Sequence, residues 1–97
     1  MNGQFGLVPK IIDLNTQLVS GGNYYVVANV VLTLPVAPRS GESVIISLAP
    51  NVVANVVRSG TSTISADGLS DTDVNLVSAT TYQFIARGAV WEVVYDN

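Results

Sequence analysis

The chain has 97 residues, a formal charge of −3, and neither cysteine nor histidine. That length holds one hydrophobic core, and the residue inventory excludes disulfides, thiolate metal sites and every Ser–His or Cys–His nucleophile. Charged residues are 11% of the sequence against about 25% in ordinary soluble domains, and the mean hydropathy is +0.44, so apolar surface is in surplus.

Residues 1–15, "MNGQFGLVPKIIDLN", carry neither a basic n-region nor an apolar h-region, so no signal peptide is expected. They read as an N-terminal arm ahead of a single all-β domain over 16–97. The arm's Phe5, Leu7, Val8, Ile11 and Ile12 are candidates for docking onto a partner or swapping to a neighbour. An added edge strand on the same protomer is the equal alternative. From Leu14 to Ala37 there is no charge, but the stretch holds Asn, Gln, Ser, Thr, a Gly-Gly pair and Pro35. A spanning helix needs about 20 mainly apolar residues, so no membrane segment is expected.

Runs rich in Val, Ile, Tyr and Thr follow one another at 16–19, 24–34, 43–48, 54–58, 62–64, 74–77, 81–86 and 90–95. Turn residues separate them, as in "SGGN", "PVAPRSGE", "RSG" and "ARGA". With no helical period between, the fold class expected is all-β: a small antiparallel β-sandwich or β-roll. In the run 24–34, Val26, Ala28, Val30 and Leu32 share one face and Val27, Asn29, Val31 and Thr33 the other. In 43–48, Val44 and Ile46 oppose Ile45. Strands apolar on both faces are usually buried on both. One small protomer cannot cover them all, so obligate association with a partner subunit is expected, a snug monomeric sandwich being the alternative.

The hexapeptide "VVANVV" occurs at 26–31 and again at 52–57. The flanks differ, and the reading is two similar core strands rather than a solenoid repeat. The segment "ADGLSDTDVN" brings Asp67, Asp71, Asp73 and Asn75 together, but their order does not fit the helix–loop–helix calcium pattern, and a solvated loop is expected. Runs 81–86 and 90–95 meet at Arg87-Gly88, a tight hairpin with Gly88 at φ > 0. Trp91, Val93 and Tyr95 share one face of the last run, and Trp91 and Phe84 are expected in the core.

Chemistry is sparse. Lys10, the one lysine, lies in the arm beside Pro9, and Glu42 and Glu92 mark no cleft, so no enzymatic activity and no cofactor are expected. An acidic chain with scattered Lys10, Arg39, Arg58 and Arg87 does not attract phosphate backbones, which argues against nucleic acid.

In order, "Y-x-V", "LTLPVAPRSGE", "SVIIS", "NVVRSGTSTI" and "TYQFIARGAVWEVV" resemble the small β-domains of tailed-bacteriophage virion proteins, from about Tyr24 to Val94. The resemblance implies homotrimers with a shared β-core and a virion location. It makes Leu34-Pro35 and Gly41-Glu42 a strand-end turn, Gly60 and Ile64 a mid-domain turn with its core anchor, and Gly88 and Trp91 the closing hairpin. Fibres and spikes are long chains of many such modules, whereas here one module is nearly the whole sequence. The expected function is therefore capsid decoration, a cement protein bound to the major capsid protein. The alternative is a tail fibre, tailspike or baseplate module that binds a host receptor.

Overall fold

The computed structural model describes residues 8–36, 39–66, 69–77 and 80–96. Among them are eleven strands and no helix. They are β1 (Lys10–Ile12), β2 (Thr16–Gln17), β3 (Asn23–Val26), β4 (Val30–Thr33), β5 (Ser43–Leu48) and β6 (Ala54–Val57), then β7 (Thr63–Ala66), β8 (Leu69–Asp71), β9 (Asp73–Leu76), β10 (Thr81–Arg87) and β11 (Val90–Asp96). A seven-stranded sheet has the order β1-β3-β5-β10-β11-β7-β8, and a four-stranded sheet the order β9-β6-β4-β2.

The all-β class holds, but the sheets are mixed rather than antiparallel. The chain passes from the large sheet to the small one at β1 to β2, β3 to β4 and β5 to β6, and once more at β8 to β9; the first three passes form a stack. Each of these three lies parallel to the one before. Ile12, Val26 and Leu48 align across the large sheet, and Thr16, Leu32 and Val56 across the small one. Parallel partners need a crossover of a dozen or more residues. Here the detour through the other sheet supplies it where an α-helix commonly would.

The run 24–34 is therefore two strands in two sheets, broken at 27–29. Inside–outside alternation continues through the break. Val26, Val30 and Leu32 are buried, while Val27 and Val31 are about 40% exposed. The corner works because its backbone donors stay satisfied. The Val27 N–H donates to the Ile12 carbonyl at 2.9 Å. The Val53 N–H of the next rung donates to Asn29 Oδ1, also at 2.9 Å. One rung earlier the same device recurs, with the Val31 N–H donating to Asn15 Oδ1 at 2.8 Å.

The two "VVANVV" copies are not stacked like on like. Val30 faces Ala54 and Leu32 faces Val56, a two-residue offset that preserves which side chains point inward. The repeat that does follow the architecture is shorter. Ser20-Gly21, Ser40-Gly41 and Ser59-Gly60 each return the chain to the large sheet, about 20 residues apart, which is a solenoid coil length. All three glycines have positive φ, at 81°, 95° and 69°.

The third turn does not place β7 on β5. The β10–β11 hairpin lies between them, antiparallel to β5 on one side and with β11 parallel to β7 on the other. The hairpin itself is as expected, with Arg87 paired to Val90 and Gly88 at φ 65°. Phe84 and Trp91 are fully buried. Beyond β7, β8 pairs antiparallel with it at the edge of the large sheet, and β9 returns to the small sheet, where it runs antiparallel to β6 and the Arg58 N–H donates to the Thr72 carbonyl at 3.0 Å.

Two crossings from the small sheet to the large one use the same clamp. In Leu18-Val19-Ser20 and Leu76-Val77-Ser78 the leucine is buried, and a buried tyrosine follows Ser at the fourth position. The Val19 N–H donates to the Tyr24 hydroxyl at 2.9 Å, and the Val77 N–H to the Tyr82 hydroxyl at 3.1 Å. A buried phenol must find a partner, and an amide left free by a sheet corner provides one.

Candidate interaction surfaces

The turn 39–42 is a junction. The Gly41 N–H donates to the Ala86 carbonyl at 2.9 Å and the Ala86 N–H to the Glu42 carbonyl at 2.8 Å. Ser40 Oγ accepts from the Gly88 N–H at 2.9 Å. Glu42 Oε1 accepts from both the Arg39 N–H and the Ser20 hydroxyl, each at 3.0 Å. Glu42 thus ties together the Ser20-Gly21 and Ser40-Gly41 turns.

These hydrogen bonds, led by that from the Arg39 N–H and aided by Ser20, hold the Glu42 carboxyl below its usual pKa. A carboxylate with a depressed folded-state pKa stabilises the fold above the unfolded value, about 4.3 for Glu, and that stabilisation is lost as pH falls through the folded value. Glu42→Gln should therefore melt below the parent at neutral pH, with the gap closing on acidification. Melting curves from pH 7 down to 3 check this; a constant gap would contradict it.

Of the arm residues, Phe5 and Leu7 lie outside the described residues. Val8 is 88% exposed, Ile11 is 59% exposed and Ile12 is buried in the core at 4%. Ile11 and Ile12 belong to β1, which extends the large sheet beside β3. Ile12 is thus engaged within its own protomer, whereas Val8 and Ile11 face outward, as does the neighbouring Leu14. Pro35 is buried, Ile64 and Trp91 are fully buried and aligned between β7 and β11, and Gly41 and Gly88 meet across Ser40.

The outer face of the large sheet is mixed. Ile45, Gln83 and Val94 align in one row, and Ser43, Ile85, Glu92 and Ser65 in the next. Along β5, the outward Ser43, Ile45 and Ser47 are all half-buried. The two-sided apolar pattern of 43–48 therefore rests on Ile45 alone. Arg87 and Glu92 form an exposed ion pair at 2.9 Å, and Lys10, Arg39 and Arg58 are exposed and apart in sequence. Among the described residues no helix is long and apolar enough to cross a membrane. No family model, curated protein or solved structure matches the chain.

The other distinctive surface is a shallow, open depression of about 300 Å³ on the outer side of the small sheet, where Asn15, Asn29, Asn55 and Asn75 converge. Asn55 Nδ2 donates to Asp73 Oδ2 at 2.9 Å and to Asn75 Oδ1 at 2.8 Å. Strand periodicity places Asn29 on a face and the acidic segment places Asn75 in a loop, but neither brings the four amides together. The available signal was position: Asn15 and Asn29 each stand immediately before a strand of the small sheet, where a side-chain oxygen can replace a ladder carbonyl.

Proposed function

We propose that the chain is a non-enzymatic structural protein of a tailed-phage virion, a decoration protein that binds the outer capsid as a homotrimer and stabilises the shell. The observation that carries this reading is outward apolar side chains on a chain poor in charge. Val8, Ile11, Val19, Val27, Val31, Val53, Val77 and Val94 are all 40% exposed or more. Singly such residues are ordinary; together, with so few charges between them, they favour a surface that is covered in an assembly. Threefold symmetry would multiply each contact with the major capsid protein, so a modest interface per protomer suffices. The second reading, a tail fibre, tailspike or baseplate module, is favoured by the amide-lined depression, which has the polar character of a receptor contact.

Two measurements test the proposal. Light scattering at micromolar concentration should give a trimer mass, and a monomer would remove the trimer from it. Purified protein should bind saturably to capsids that lack it and not to host cells; binding to cells alone would favour the second reading.

A further inference from the structure

The four asparagines of the small-sheet depression have no freedom in how their amides are oriented. Asn15 and Asn29 each receive a backbone N–H, which can only donate, so the atom facing the backbone is Oδ1 and the NH₂ group points away. Asp73 as a carboxylate can only accept, which fixes Asn55 Nδ2 toward it and leaves Asn55 Oδ1 uncommitted. Asn75 Oδ1 accepts from Asn55, so its own NH₂ group is uncommitted too. The depression thus presents three NH₂ groups and one carbonyl oxygen with no partner among the described residues. The methyl groups of the exposed Val31 and Val53 lie beside them.

Chemistry narrows what such a surface recognises. No Lys or Arg lines the depression, and the Asp73 carboxylate is bonded to one of its amides, so no positive charge there offsets the desolvation of an anion. A peptide backbone offers donors and acceptors in equal number and would leave its own N–H groups facing N–H groups. Hydroxyls both accept and donate, which suits a surplus of donors with one acceptor, and the C–H faces of a sugar ring suit the valines. The amides are already held by backbone N–H groups, by Asp73 and by one another, so little side-chain entropy remains to be lost on binding.

We propose that this depression is a binding site for a neutral saccharide. The assignment is independent of where in a virion the chain sits. The test uses the full chain labelled with ¹⁵N and titrated with millimolar neutral oligosaccharides: glucose-, galactose- and N-acetylhexosamine-based tetramers. At least one should shift the side-chain NH₂ signals of Asn15, Asn29 and Asn75 saturably. Asn15→Asp and Asn29→Asp keep the oxygen that the backbone needs but remove the outward donor. They should melt near the parent temperature yet weaken binding by about tenfold each. Asn75→Asp serves the same purpose if either fails to fold. Failure of every sugar to move these signals, unchanged binding in the folded variants, or the same signals moved only by an extended synthetic peptide would overturn the assignment.

Discussion

Replacing Trp91 with alanine is expected to cost about 3–5 kcal/mol, the range for deleting a buried large aromatic, while Trp91→Phe costs far less. Trp91 is fully buried and stands at the joint where the inserted hairpin meets β7, aligned with Ala86 on one side and Ile64 on the other. Alanine there leaves a cavity in the core on the inner side of the sheet, beneath the ladder that joins β11 to β7. Phenylalanine keeps most of the ring volume and removes a liability, because the indole Nε1 is buried without a hydrogen-bond partner among the described residues. An unsatisfied buried donor costs about 1–3 kcal/mol, so its removal offsets much of the lost packing. Urea unfolding of both variants checks the contrast. Equal losses would mean that the N–H is doing something phenylalanine cannot.

Gly88→Val is expected to lower the melting temperature by roughly 5–15 °C, from a net cost of about 1–2 kcal/mol. Gly88 is the first residue of the two-residue hairpin turn, at φ 65°, and an added Cβ meets nothing within 4 Å. The penalty is therefore backbone strain rather than collision, reduced slightly because valine also restricts the unfolded chain. Asparagine tolerates left-handed backbone far better than a β-branched residue, so Gly88→Asn should lose clearly less than Gly88→Val. Similar melting points for the two would show that the turn does not demand positive φ.

Local features of the fold were legible because they depend on neighbours in sequence. The alternation of Tyr82, Phe84 and Ala86 against Gln83 and Ile85 appears as buried against half-buried, and the turn at Gly88 sits where its glycine says it must. Partner choice was not legible, because a period of two tells which face a side chain occupies and nothing about which strand lies beside it. The corner at 27–29 was hidden for a related reason. Val27 and Val31 continue the apolar run, and the feature that breaks it, Asn29 accepting from Val53, involves a residue far along the chain. The literal "VVANVV" repeat drew the eye from the Ser-Gly turns, whose shorter signal marks the coils. Among the site residues, turn and core positions followed from residue type. The amide depression did not, since Asn15, Asn29, Asn55 and Asn75 converge only once the rungs are stacked.

The placement of the hairpin has a consequence for how the molecule is made. Strands β10 and β11 occupy the middle of the large sheet but come after β1–β9 in the order of synthesis. During translation β5 and β7 both wait with open edges, each able to pair with the wrong partner, until the strands that separate them leave the ribosome. Long-range pairing of this kind is slow and exposes strand edges meanwhile. A nascent chain that has emerged only as far as residue 80 would hold the three stacked rungs but not the completed large sheet, so this sheet is joined up from the middle by the last strands to appear.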